Sequence, residues 1–486
     1  MTRRSFGLLT VLLLVSLLAG CSLFRQAAAK YPAADLSYIY AWAVENPWRN
    51  PVVLVPGFGG SRLLLEEDGS TAWGAFFADD SLKLKSPIGQ RALAVDIDRL
   101  PADPTPEDLR WIEDDVVTDG LLDSMRADAL VAELDVNVYG VLTDLFESAG
   151  YAECGPSPVA GERPDCLTFS YDWRQDLVGS AIELGRFLEE ARREIEAGRA
   201  ARGVDGRPVR FDIVAHSMGG LVARYFLRYG ARDVLGEEMP EITWEGADLV
   251  DRLIVVSTPN FGSMKLLRDM LDGRSFAFVD FEPAVIATWT STYQMLPRES
   301  HRSWFDEQGE PASVAILSAA HWRRNGWGPF DPGQASVLAN LLPGEATDAD
   351  RRARLEAFME VAFERARRFQ RVVDRIPEVA PPADLFLLAA DAERTPARAM
   401  VVRVDGRERL VFDLPALQAP GDGTITRASA LADGRLLSGR GGWVESPIPW
   451  RQATFLTASH RSLLANPTFQ NNLLHILLET APRSRD

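Results

Sequence analysis

Residues 211–221 read FDIVAHSMGGL, an apolar strand-like run that meets a serine and turns directly helical. A nucleophilic serine has to stand on a sharp, strained strand-to-helix turn. The positions two before and two after it must therefore be small for the backbone to close. Ala215 and Gly219 meet that need, so the stretch reads as a nucleophile elbow presenting Ser217. An ordinary helix N-cap serine would leave the two small flanking positions and the adjoining apolar strand unexplained.

Outward from the elbow, apolar strand-like runs alternate with helix-like periodic stretches, the signature of an α/β sheet. Strands are expected at 52–55, 167–171, 209–214, 253–257, 385–390 and 453–458, and helices at 180–197, 221–228 and 469–478. The reading is an α/β-hydrolase fold over residues 50–480, a mostly parallel central sheet with helices on both faces. Residues 66–121 and 262–382 break the rhythm, and a compact domain does not tolerate structureless loops of that size. They read as lid and cap insertions. The second is dense in aromatics: Phe276, Phe278, Phe281, Trp289, Tyr293, Trp304, Trp322, Trp327 and Phe330. Cap core and the lining of an apolar substrate groove are overlapping readings of these rings. Leu355, Phe358, Met359, Ala362, Ala366, Phe369, Val373 and Ile376 recur at spacings of three and four, one face of an amphipathic helix. Arg351, Arg354, Arg365, Arg368 and Arg375 fall mostly off that face. Packing on the body is favoured over insertion into an anionic lipid surface, because soluble caps carry the same pattern.

A serine hydroxyl needs a base to take its proton, and the base needs an acid to hold its tautomer. In hydrolase order the histidine comes last, on a loop after the final strand, where His460 stands. His475 falls inside the apolar terminal helix and reads as packed; His301 and His321 fall in the cap. His216 is expected to point away from the hydroxyl. Asp422 lies between two glycines, in a loop that can present a carboxylate at little steric cost. Asp391, directly after the strand at 385–390, is the alternative acid. A developing oxyanion needs two backbone N–H donors. Met218, after the nucleophile, supplies one, and Phe58 in the glycine-rich run PGFGG at 56–60 supplies the other. A phosphate-binding loop is the competing reading of those glycines, but the GK[ST] ending is absent.

The start of the chain reads as an export signal. Arg3 and Arg4 precede an apolar run too short for a comfortable membrane span, and the run ends in Leu18, Ala19, Gly20 and Cys21. This resembles a bacterial lipobox, with residues 1–20 removed, Cys21 lipidated and residues 21–49 a spacer. Acyl chains at about 0.8 kcal/mol per buried methylene would anchor the chain to a membrane. The alternative is an ordinary signal peptide with a chance cysteine. Ser22, rather than Asp, favours the outer membrane under the sorting pattern this resemblance implies. In an oxidising periplasm Cys154 and Cys166 are expected to form a disulfide. The chain has 486 residues, 46% of them hydrophobic, which is enough for a substantial core. A formal charge of −17 without a dense basic run argues against nucleic acid as a partner. Five histidines, with no HExxH and no CxxC pair, leave little to build a metal site from, and no cofactor or protein partner is expected.

Taken in order, PVVLVPGFGGSRL at 51–63, YDWR at 171–174, AHSMGG at 215–220, STPNFGS at 257–263, YQMLP at 293–297 and GDGT at 421–424 resemble the lecithin:cholesterol acyltransferase family. That resemblance implies a serine lipid esterase or acyltransferase with Ser217, Asp422 and His460 as its triad and Phe58 and Met218 as oxyanion amides. It implies a membrane lipid as substrate, with the acyl group passed to water or a lipid alcohol. The departures are the cysteine pair, which lies away from the family's early lid disulfide, and the loosely similar lid around Trp73, Phe76 and Phe77. The rival functions are an esterase or thioesterase for small soluble acyl compounds and a non-catalytic lipid-anchored scaffold.

Overall fold

A computed structural model describes residues 49–74, 86–129, 132–157, 165–203, 206–276, 279–438 and 442–481. Residues 1–20, read from the sequence as an export signal, and Cys21, Phe76, Phe77 and Phe278 lie outside the described residues, as does the side chain of Phe276.

Six strands form the central sheet: β1 (Val52–Val55), β2 (Cys166–Thr168), β3 (Phe211–His216), β4 (Val250–Val256), β5 (Asp384–Ala390) and β6 (Gln452–Leu456). Their spatial order is β6-β5-β4-β3-β1-β2, and every pairing in it is parallel. These strands are nearly continuous runs of apolar residues because both faces of the sheet are covered. The period of two divides them between two cores. Val53, Val55, Ile213, Ala215, Leu253 and Val255 face one core. That core also holds α1 (Leu177–Ala201), α2 (Gly219–Tyr229), α3 (Met264–Asp272) and α4 (Asp348–Val373). Val52, Leu54, Val214, Ile254 and Val256 face the other core, with Leu142, Phe146 and the helix α5 (Pro467–Leu474). The α/β sandwich read from the sequence is the one observed.

Element ends shift by a few residues, for local reasons. Helix α1 begins three residues early because Asp176 caps it, accepting from the amides of Val178 and Gly179. Strand β2 stops at Thr168, and by Tyr171 the backbone amide has turned to the Ser61 hydroxyl. The expected terminal helix also needs correction. It ends at Leu474 and a wide turn follows over His475–Glu479, so His475 is not packed: its side chain is 55% exposed and pairs with Glu479.

The stretch 66–121 holds the strands Thr71–Trp73 and Val116–Leu121, which flank Ser61–Leu65 in an antiparallel sheet, and a helix at Pro87–Leu93. In 262–382, Phe281, Trp289, Tyr293, Trp304, Trp322, Trp327 and Phe330 are core residues. Helix α4 starts at a capping box, Thr347 with Asp350, and buries Leu355, Phe358, Met359, Ala362, Ala366, Phe369 and Val373 against the body. Two residues depart from the expected pattern. Ile376 lies beyond the helix end and is exposed, whereas Arg365 is buried in an ion pair with Asp176 at 2.8 Å and Asp233 at 3.0 Å. A guanidinium spaced among apolar residues looks like a solvent-facing charge until its partners, far away in sequence, are known.

Candidate active site

The parallel sheet brings the carboxyl ends of its strands to one edge, where α/β proteins place their sites. Val55 is level with Ala215, Ala215 with Val255, and Ala390 with Leu456. The loops after β1, β3 and β6 therefore meet.

Ser217 follows β3 immediately and has φ of 53°, the left-handed region that non-glycine residues rarely occupy. Two hydrogen bonds hold the strained turn: its amide donates to Val256 O at 2.7 Å, and its carbonyl accepts from Thr258 Oγ1 at 2.7 Å. The small neighbours have a measurable reason. A Cβ on Gly219 would stand 2.4 Å from Pro56 O and 2.7 Å from Val55 O, so only glycine lets α2 start this close to β1. A Cβ on Gly57 would stand 2.8 Å from Ser217 Cβ. The loop after β1 thus lies directly against the serine.

His460 sits on the loop after β6, its Nε2 3.2 Å from Ser217 Oγ and its Nδ1 2.8 Å from Asp422 Oδ2. Asp422 comes from the end of a two-stranded ribbon, Glu393–Pro396 with Gln418–Gly421, outside the main sheet. Its Oδ1 accepts from the amides of Thr424 (2.9 Å) and Ile425 (2.7 Å), and its own carbonyl accepts from His460 N (2.8 Å). Burial pushes the carboxyl's pKa up, but the His460 ring and those two amides outweigh it and hold the group below its ordinary range. Asp422 is therefore held as an anion against the His460 ring. The alternative acid, Asp391, is instead paired with Arg427 and makes no bond to His460 among the described residues.

Among the described residues, neither the Phe58 amide nor the Met218 amide donates a hydrogen bond within the protein. Both belong to loops against Ser217, as two donors for a developing oxyanion must. The Phe58 ring is packed by Trp173 (centroids 4.5 Å apart) and Trp289 (5.4 Å), with the Arg274 guanidinium 4.5 Å above it. YDWR supports this loop: Tyr171 Oη donates to Pro56 O at 2.8 Å and Trp173 Nε1 to Ser61 O at 3.3 Å. Asp172 pairs with Arg174, which also bonds Asp114 and the carbonyl of Ala94. Cys154 and Cys166 form a disulfide at the first residue of β2, at the end of the sheet opposite these groups.

The three side chains read as nucleophile, base and acid are thus in hydrogen-bonding sequence, and His216 makes no bond to the Ser217 hydroxyl. Sequence reasoning missed two residues. Thr258 lies inside STPNFGS, so a signal for it existed without a role attached. Tyr139 lies outside every motif; its hydroxyl accepts from Gly57 N at 2.6 Å and is 2.8 Å from His216 Nδ1.

Comparison with known proteins gives a family and a fold. The model of the lecithin:cholesterol acyltransferase family matches residues 158–318. That span includes Ser217, YDWR, STPNFGS and YQMLP, whereas Asp422 and His460 lie beyond it. No curated protein matches. Among solved structures, a chain of the Tle4–Tli4 complex is similar at a TM-score of 0.52 and 14% identity, covering 88% of this chain and 98% of that one. The Bacillus licheniformis lipase BlEst2 is similar at 0.32 in its propeptide form (10% identity; 91% and 53% covered) and at 0.31 in its mature form (12%; 89% and 93%). At the level of class, the family match supports a lipid ester hydrolase or acyltransferase. The chain has an α/β-hydrolase fold, and its residues 158–318 match the model of the lecithin:cholesterol acyltransferase family.

Proposed function

We propose that this protein is a serine lipid esterase or O-acyltransferase. The observation that carries the reading is Ser217 on a strained turn, with Oγ 3.2 Å from an imidazole whose other nitrogen is 2.8 Å from a buried carboxylate. Ser217 Oγ attacks the ester carbonyl while its proton passes to His460 Nε2. Asp422 keeps the His460 Nδ1–H in place and stabilises the imidazolium. The Phe58 and Met218 amides take up charge on the carbonyl oxygen. Collapse breaks the C–O bond, and His460 returns its proton to the departing alcohol. Water or a lipid alcohol then attacks the acyl-enzyme, losing its proton to His460, and Ser217 is regenerated.

The match to the lecithin:cholesterol acyltransferase family favours a lipid acyl ester, and a phospholipid is the nearest one for a chain tethered to a bacterial envelope membrane through Cys21. In this reading Cys21→Ser moves the protein from the membrane to the soluble fraction. The test of function is hydrolysis of a chain-length series of nitrophenyl esters by a chain lacking residues 1–21. Turnover that rises with chain length and vanishes in Ser217→Ala supports a lipid esterase. A preference for acetyl or butyryl esters would favour the small-ester alternative, and no turnover in the parent would favour the scaffold.

A further inference from the structure

His216 is buried and takes no part in the proton path from Ser217 to Asp422. Its Nδ1 lies 2.8 Å from Tyr139 Oη, and that oxygen accepts from Gly57 N at 2.6 Å. These contacts decide the protonation of the ring. The Gly57 N–H occupies one lone pair of the Tyr139 oxygen. The phenol's own proton needs an acceptor, and Nδ1 is the one in reach. His216 is then neutral with its proton on Nε2, an atom that is buried and without a partner among the described residues. The opposite tautomer would strand two groups, the Tyr139 O–H and the Nε2 lone pair, so it is the costlier arrangement. Burial, reinforced by the nearby His460, lowers the His216 pKa to about 3, which keeps the ring neutral at working pH. Burial likewise raises the Tyr139 phenol, which stays protonated.

This chain of bonds ends on the loop that covers the serine. A Cβ on Gly57 would strike Ser217, and a Cβ on Gly60 would stand 2.6 Å from both Pro56 Cβ and the Tyr139 ring. The loop is therefore moulded between the nucleophile on one side and Tyr139 on the other. The Gly57 amide is committed to Tyr139 and unavailable to substrate, whereas the next amide, that of Phe58, makes no bond among the described residues. We propose that Tyr139 and His216 are a buried pair of positioning residues that turn the Gly57 amide away from the reacting carbonyl and so set Phe58 as the donating residue of its loop.

This proposal rests on the reading of Ser217 as the nucleophile, and its test separates the two. Tyr139→Phe keeps the ring and removes the hydroxyl. A misaligned oxyanion donor is expected to lower kcat by about 10- to 100-fold, below the loss for deleting a donor outright, with KM held within about twofold. Because such a donor acts in the transition state, affinity for a trifluoromethyl ketone analogue should fall by the same factor as kcat/KM. His216→Asn places an acceptor oxygen where Nδ1 stood and is expected to retain most of the turnover; His216→Leu should match Tyr139→Phe. Hydrogen–deuterium exchange of a peptide spanning residues 54–60 should quicken in Tyr139→Phe whether or not the protein turns over esters. Faster exchange with unchanged kcat would overturn the positioning role, as would a kcat loss that leaves analogue affinity untouched. Equal impairment of His216→Asn and His216→Leu would overturn the tautomer assignment. Absence of ester turnover in the parent, with exchange behaving as expected, would instead bring down the reading of Ser217.

Discussion

Ser217 stands at φ 53°, a conformation that costs on the order of 1–3 kcal/mol and is maintained by the bonds to Val256 and Thr258. What distinguishes Asp422 from Asp391 is the company each keeps. Asp422 accepts two backbone amides and the His460 ring, while Asp391 is taken by Arg427. Asp422→Asn is expected to reduce kcat by at least about 10³-fold, since it favours the wrong His460 tautomer. Asp391→Asn should leave kcat within a few-fold. Steady-state kinetics on a nitrophenyl ester decide this, and the reverse ranking would transfer the role to Asp391. Much of this site was legible, because elbow chemistry forces small residues at 215 and 219, and the loop around Asp422 is marked by glycines. Tyr139 was not legible, because its importance lies in one hydroxyl reaching two residues that are 82 and 77 positions away in the chain.

At the scale of elements, β1, β3, β4 and β5 announce themselves by mostly apolar runs, which is what burial on both faces demands. Helix α4 was legible from its spacing, and its docking was not. Arg365, on α4, forks onto Asp176, the residue that caps α1, and also reaches Asp233 and the carbonyl of Pro106. Gln294 Nε2 donates to the same carboxylate at 2.6 Å. Removing one partner of a buried pair leaves a charge without compensation, at a cost of about 3–5 kcal/mol. Arg365→Leu is therefore expected to lower folding stability by that amount in urea titration. A loss under about 1 kcal/mol would show that Asp176 is satisfied by the Gln294 side chain and the helix amides alone.

For the whole molecule, pH acts through histidines buried without charge. His301 packs edge-on against Phe261 in the 262–382 segment, and burial, followed by the nearby Arg298, lowers its pKa to about 3. An ordinary histidine in the unfolded chain titrates near 6.5, so between pH 6.5 and 3 the unfolded state binds more protons than the native one. The stability conferred by neutral His301 is thus present above pH 6.5 and lost as the pH falls towards 3. Relative to His301→Gln, the parent should lose about 2 kcal/mol between pH 7 and pH 5, read from denaturant midpoints at each pH. A difference that stays constant across that window would mean His301 is protonated in the native state.

The central claim is that Ser217 is the nucleophile of this site. The most direct test is to treat the protein with a long-chain alkyl fluorophosphonate and locate the adduct by peptide mass spectrometry. A single phosphonyl group on Ser217 is predicted, with its formation sharply slowed in His460→Ala and lost in Ser217→Ala. Ester hydrolysis by a protein that carries no adduct on Ser217, or carries it on another residue, would contradict the account.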